Sequence, residues 1–313
     1  MRTKTVRFIL PAIYTLALTL GCNADNSKTT TRGVLDSGII ATIPPPPVAE
    51  SRATSLYSEM PSSLKILFVG NSYLGFNPTL DGLKTKFGTY NQISSLIDIT
   101  VPETSSKLVS IGGGTLEQHW ESGNTSDTAR GYIESGQFDL LIIQGRYDIH
   151  REQSNADRFD TYIDQFSNLA KDNNMKVLLF GLWATDKQIS PVQDLFGPVA
   201  HDIYRNAAVR NGISYAPNGI AYNAIYSSLA SVFSEEEIED SMTADAIHPN
   251  TPLAYLAANV VFYGLFGSQS PTFEDFRPPG MSDELGELIR KVAWESAIAH
   301  GYDGRRFVNI PAC

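Results

Sequence analysis

Residues 65–73 read Lys65-Ile66-Leu67-Phe68-Val69-Gly70-Asn71-Ser72-Tyr73. The apolar run from Leu64 to Val69 has strand length and no polar alternation, which predicts a strand covered on both faces, the kind found in parallel sheets. Gly70-Asn71-Ser72 ends that strand in turn residues, so a small hydroxyl arrives at its carboxyl end behind a glycine. A serine hydroxyl is a poor nucleophile until a base takes its proton, and the base must itself be held by a carboxylate. A histidine and a carboxylate stand together far along the chain, in Asp245-Ala246-Ile247-His248-Pro249.

Working outward, three more apolar runs have the length and flanks of strands: Ile97 to Val101, Leu140 to Ile143 and Val177 to Leu182, with Ile213-Ser214-Tyr215-Ala216 as a weaker fifth. Helical segments are expected between them over Pro78 to Phe87 (closed by Gly88), Asn155 to Lys171 (apolar stripe Phe159, Tyr162, Ile163, Phe166, Leu169) and Val192 to Arg210 (closed by Gly212). Further helices are expected at Ala221 to Phe233, Pro252 to Phe266 and Asp283 to His300. Strand–helix–strand alternation is the signature of an α/β layer architecture. The expected fold is a three-layer α/β/α sandwich around a mainly parallel, flavodoxin-like sheet of about five strands. In such sheets functional groups sit outside the carboxyl ends of the strands, where Ser72, Gln144 and the turn Gly112-Gly113-Gly114-Thr115 all fall.

The amino terminus has a basic start (Met1 to Arg7), a short apolar core (Phe8 to Leu20) and then Gly21-Cys22, which reads as an export signal over residues 1–21. Leu18-Thr19-Leu20-Gly21-Cys22 resembles the lipobox of bacterial lipoproteins, with Thr19 where leucine is usual. That resemblance implies lipidation of Cys22 and anchoring in the outer membrane facing periplasm or exterior; cleavage near Ala24 and release to periplasm or medium is the alternative. Residues 22–61, rich in Ser, Thr and Pro and including Pro44-Pro45-Pro46-Pro47, have the composition of a flexible tether. Residues 62–313 are then one α/β domain, long enough to bury a large core.

The formal net charge is −10, and the basic residues are scattered without aromatic interleaving, which argues against nucleic acid as a partner. Contact with membrane is expected only through the lipid anchor, and no pattern encodes an oligomeric state. The two cysteines, Cys22 and Cys313, allow neither a disulfide framework nor a Cys-based metal site. No His-x-x-x-His helix or tight His/carboxylate cluster exists, and Asp245 with His248 makes only two ligands, so no metal and no cofactor is expected. The glycines at 112–114 lack the Lys-Ser or Lys-Thr of a phosphate-binding loop.

Gly70 has a reason to be glycine if the turn is tight or another group approaches the backbone closely. Pro249 pushes His248 toward an extended conformation, and Thr251 and Pro252 read as N-cap and first position of the next helix. A carboxylate three residues before the histidine can fold back onto one ring nitrogen and fix the tautomer, leaving the other nitrogen for Ser72. Among the rival histidines, His119 beside the glycine turn reads as a packing or pocket-wall residue, and His150, His201 and His300 read as surface residues.

With these residues assembled, the chain resembles the SGNH hydrolases, or GDSL esterases and lipases, particularly a bacterial branch whose first block reads Gly-Asn-Ser-Tyr or Gly-Asn-Ser-Phe. The likeness runs over roughly residues 64 to 266. It implies that Gly70-Asn71-Ser72 carries the nucleophile and that Asp245, His248 and Pro249 match the family's Asp-x-x-His-Pro block. It further implies an oxyanion hole built from the backbone of Ser72 and of Gly113, with Gly114 as the neighbouring candidate. The third block, usually Gly-x-Asn-Asp, departs here: Gln144-Gly145-Arg146-Tyr147-Asp148 holds no asparagine. Gln144 is the candidate replacement donor and Arg146 the alternative; a guanidinium there can instead bind a substrate carboxylate. Tyr73, Trp120, Arg146 and Tyr147 are candidate substrate-binding residues, since aromatics near a site stack on sugar faces or wall an acyl pocket.

The expected activity is a serine esterase, a carboxylic-ester hydrolase, acting on a small-molecule or carbohydrate ester such as an O-acetylated sugar. Two alternatives stay open: an O-acyltransferase acting on an envelope or exported polysaccharide, and an inactive carbohydrate-binding lipoprotein, for which the altered third block speaks.

Overall fold

The computed structural model describes residues 55–76, 79–80, 83–84, 88–146, 149, 153–183, 201–245, 247–267, 276, 278, 281–300 and 302–303. Its main sheet contains five parallel strands, β1 (Ser63–Gly70), β4 (Glu103–Ser110), β5 (Leu140–Gln144), β6 (Lys176–Phe180) and β7 (Ser214–Ala216). A short antiparallel β8 (Tyr302–Asp303) closes one edge, and the order across the sheet is β4-β1-β5-β6-β7-β8. Counting the parallel strands alone, this is the second-first-third-fourth-fifth order of flavodoxin-like sheets.

Helices cover both faces. One layer holds α2 (Thr89–Thr100), α7 (Asn218–Leu229), α9 (Thr251–Phe266) and α10 (Asp283–His300); the other holds α3 (Leu116–Glu121), α4 (Ala129–Glu134), α5 (Gln153–Asp172) and α6 (His201–Asn211). A one-turn α1 (Ser72–Gly75) follows β1, and α8 (Glu235–Met242) precedes α9. In α5 the buried residues Phe159, Ile163, Phe166 and Ala170 form one stripe, as an amphipathic helix against a sheet requires. From Leu253 to Phe266, α9 is buried all round apart from Gly264, so it is a core helix. Residues 55–57 dock beside it: the Leu56 and Tyr57 N–H groups donate to the carbonyls of Gly264 and Leu265.

Two expectations are corrected. Ile97 to Val101 is not the second strand; Ile93, Leu96, Ile97 and Val101 lie on the buried side of α2 and just past its end. The strand is instead Glu103–Ser110, a polar edge strand whose alternating half-exposure leaves no apolar run. The helix expected over Pro78 to Phe87 also fails where it is described, because Thr79–Leu80 and Leu83–Lys84 pair as a small antiparallel ladder, β2 and β3. Gly88 caps the start of α2 rather than ending a helix. The first half of the expected 192–210 helix and residues 22–54 of the tether, Cys22 among them, lie outside the described residues, while the tether's residues 55–57 are docked on α9.

His201 is not a surface residue. It sits half-buried at the start of α6, with Nδ1 3.0 Å from the Tyr215 hydroxyl and its ring 5.6 Å from that of His300. Burial, with the charges of His300 and Arg205 adding to it, pushes its pKa down to about 4. Between that value and the 6.5 of an unperturbed imidazole, the unfolded chain takes a proton the folded one refuses, so stability falls as pH falls. Melting curves at pH 7 and pH 5 should therefore show a lower Tm at pH 5, with a smaller drop in His201→Gln. An identical drop in the variant would mean that the buried imidazole is not a source of the acid sensitivity.

Candidate active site

Ser72 opens α1 directly behind β1, at the point where the sheet order reverses between β4 and β5. Crevices at such switch points are where open α/β sheets bind ligands. Asn71 fixes the turn. It is 2% exposed, its Oδ1 accepts the Tyr73 N–H (3.1 Å) as an N-cap, and its Nδ2 donates to the Gly114 carbonyl (3.2 Å). Its own N–H donates to Gln144 Oε1 (3.0 Å). The Asn71 carbonyl accepts from Leu74 and Gly75, and the Ser72 carbonyl from Phe76. The Ser72 N–H has no acceptor among the described residues.

Gly70 is glycine because a Cβ there would lie 2.6 Å from Gln144 Oε1 and 2.9 Å from Leu74 Cδ1. The Gly70 carbonyl accepts from the Ile111 N–H (3.1 Å) and from His119 Nε2–H (2.7 Å). His119 is thus a buried structural imidazole, kept neutral by a pKa that burial lowers against the opposing effect of the Gly70 carbonyl. It is not placed to act as a base.

His248 and Asp245 occupy a loop closed at its neck by an antiparallel bridge between Thr243 and Pro249. The Ala244 N–H donates to the His248 carbonyl and the Asn250 N–H to the Met242 carbonyl, both at 2.8 Å; the Asn250 side chain donates to the carbonyls of Asp240 and Thr243. Asn250, rather than Thr251, is the N-cap of α9, so Thr251 and Pro252 are its first two residues. Within the loop, Asp245 Oδ1 accepts the N–H groups of Ile247 (3.2 Å) and His248 (2.9 Å), and Oδ2 accepts His248 Nδ1–H (2.8 Å). Partial burial raises the Asp245 pKa, but these hydrogen bonds and the nearby imidazole outweigh it and hold the carboxyl below its ordinary value. With Nδ1 carrying the proton, Nε2 is left with a lone pair.

The loop meets the nucleophile turn through aromatic contacts. Phe76 stacks on the His248 ring (centroids 4.6 Å, interplanar 19°), and Tyr73 lies 6.2 Å from it with its other side against Trp183. Ser72 and His248 are both half-buried. The positioning role of Phe76 is not signalled by spacing, since one aromatic four residues after a serine is an ordinary turn flank.

The remaining expected site residues divide. Gly113 is exposed at the tip of the turn after β4 in the left-handed region (φ +63°), a conformation that favours glycine. Gln144 is 1% exposed; its Oε1 accepts from Asn71, and its NH₂, which has two N–H groups to give, donates one to the Gly145 carbonyl. Trp120 is half-buried, its indole packed edge-on against Phe166 (5.0 Å) with the Arg130 guanidinium over the ring (4.6 Å). Tyr73 is 3% exposed and walls the site rather than projecting into it. Arg146 is half-buried and lines a cleft together with Leu116, Phe159 and Arg158. Tyr147 and Cys22 lie outside the described residues. Among the described residues no group of three or more His, Cys, Asp or Glu could hold a metal ion.

No family model and no curated protein matches the chain. Solved structures do. A DUF4886 family protein from Bacteroides uniformis is 15% identical, over 75% of this chain and 94% of that one, with a TM-score of 0.54. A candidate SGNH hydrolase from Slackia heliotrinireducens is 17% identical over 64% and 98% (TM-score 0.46). A catalytic mutant of an acetylxylan esterase from Geobacillus stearothermophilus is 13% identical over 66% and 97% (TM-score 0.49). At these identities the first of the three likenesses establishes a shared fold.

The bonding of Gln144 makes a direct prediction. Gln144→Ala strips the buried Asn71 N–H of its acceptor and should lower stability in urea unfolding by about 1–3 kcal/mol, with turnover falling alongside. A variant as stable as the parent that loses only turnover would instead assign Gln144 to the oxyanion hole.

Proposed function

We propose that this chain is a serine esterase that works through an acyl-enzyme on Ser72, with His248 as general base and Asp245 as the group that orients it. The observation that carries this reading is the 2.8 Å bond from His248 Nδ1–H to Asp245 Oδ2 on a ring that also packs against Phe76 and Tyr73, the neighbours of Ser72. These contacts set the imidazole against the turn that carries Ser72, although among the described residues no hydrogen bond joins the Ser72 hydroxyl to His248.

In the first step Ser72 Oγ attacks the ester carbonyl while His248 Nε2 takes the hydroxyl proton. Asp245 stabilises the imidazolium that results, and the alcohol leaves with that proton. The tetrahedral oxyanion is met by the Ser72 N–H, which has no acceptor among the described residues, and by the Gly113 N–H at the left-handed turn. Water, deprotonated by His248, then attacks the acyl-enzyme and releases the acid. Removing one donor from such a hole typically costs on the order of 10²- to 10³-fold in turnover. Gln144, through the second N–H of its amide, and Arg146 are the side-chain candidates for a third donor.

An O-acetylated carbohydrate is the substrate class we favour. This lean rests on the export signal read in residues 1–21 and on the aromatic side chains near Ser72; attachment through Cys22 is part of the same proposal. The intact Asp245–His248 pair and the close approach of Phe76 argue for a working site over an inert binding surface.

Hydrolysis of p-nitrophenyl acetate tests the assignment. Ser72→Ala and His248→Ala should lose roughly 10⁴-fold or more in kcat, and Asp245→Ala clearly less, with circular-dichroism spectra matching the parent. Undiminished turnover in Ser72→Ala would end the proposal.

A further inference from the structure

Phe76 belongs to both halves of the site. Its N–H donates to the Ser72 carbonyl (2.8 Å), closing the turn that carries the nucleophile, and its half-buried ring lies on the His248 imidazole (centroids 4.6 Å, interplanar 19°). One residue thus ties together two segments that are distant in sequence, through its backbone at one end and its ring at the other. The Asp245 carboxylate takes Nδ1–H at 2.8 Å, a bond that runs along the edge of the imidazole, so the two partners of His248 use different parts of it. Tyr73 stands farther off, at 6.2 Å and tilted by 47°, and also packs against Trp183. The His248 side chain keeps only 21% of its surface exposed.

Between a neutral imidazole and a phenyl ring, the attraction is chiefly dispersion and shape. It is present before the reaction and during it, so by itself it holds the base in place without lowering the barrier. Protonation of Nε2 changes the contact, because the imidazole becomes a cation lying against the negative face of the phenyl quadrupole. That attraction lasts only as long as the imidazolium does. An interaction stronger in the transition state than in the ground state is the kind that accelerates a reaction. Asp245 meets the new charge at the edge of the ring, and Phe76 meets it at the face.

We propose that Phe76 is a positioning residue with an electrostatic role: acting through His248, its ring face stabilises the imidazolium that forms in both acylation and deacylation. This rests on the esterase reading of Ser72 and His248.

The test is to replace Phe76 with phenylalanines carrying one, two and three fluorines on the ring, which withdraw electron density from its face while leaving its shape and apolar character nearly constant. The kcat for p-nitrophenyl acetate should fall with each fluorine, by roughly three- to tenfold over the series, the reach of a partly exposed cation–π contact. KM should hold steady, since the same charge builds in both chemical steps. Phe76→Leu, which keeps an apolar side chain and loses the π face, should fall at least as far as the trifluorinated ring. A flat kcat across the fluorine series, in a protein whose turnover depends on Ser72, overturns this inference and leaves the esterase reading standing; so does a Phe76→Leu variant with the parent's kcat. Absence of Ser72-dependent turnover in the parent sinks the esterase reading and this inference with it.

Discussion

Three strand ends are tied to one buried asparagine. Asn71 caps the turn that presents Ser72, reaches across to the glycine turn after β4 through its amide, and receives the end of β5 through Gln144. Each bond contributes little net stability, on the order of 1 kcal/mol, but each is buried, so breaking one leaves an unsatisfied polar group and costs more than the bond itself was worth. The arrangement therefore behaves as a unit: moving Gly114 or Gln144 moves the serine. The absent side chain at Gly70 completes the constraint, since the Gln144 amide occupies the space where a Cβ would stand.

The second half of the site is anchored differently. The Asp245–His248 loop is clasped at its neck by the Thr243–Pro249 bridge and leads straight into α9, the most enclosed helix of the fold. Gln92 Nε2 donates to the Thr251 carbonyl, tying the first residue of α9 to α2 in the same layer. A histidine on a loop between a hydrogen-bonded neck and a core helix has little freedom, and the Phe76 face removes some of what is left. Positioning of this kind is settled at folding, before any substrate arrives.

Much of this was legible in the residues. The apolar runs at 64–69, 140–143 and 177–182 read as buried parallel strands because they are short, are rich in Ile, Val and Leu, and alternate with helical segments. The Asp245-x-x-His248-Pro249 spacing announced a carboxylate folding back on an imidazole. What was not legible has physical causes. Strand β4 lies at an edge, is half-exposed and carries Glu, Thr, Ser and Lys, so its apolar signal is absent, while the neighbouring run at 93–101 is apolar for a helix's reasons. Helix α8 did leave a mark, the capping box Ser234-Glu235-Glu236-Glu237, in which Ser234 and Glu237 bond each other's backbones. Gln144 stands at a strand end, where a donor is expected; that its Oε1 also holds the Asn71 N–H depends on a segment 73 residues away and is not legible in the spacing.

The account's central claim is that the hydroxyl of Ser72 is activated by the His248–Asp245 pair. A fluorophosphonate probe reads that activation without any assumption about substrate, because it phosphonylates an activated serine and ignores an inert one. Peptide mapping by mass spectrometry after labelling should place the adduct on Ser72, with labelling lost in Ser72→Ala and strongly slowed in His248→Ala. No adduct on the intact protein, or an adduct on another residue that persists in both variants, would contradict the account.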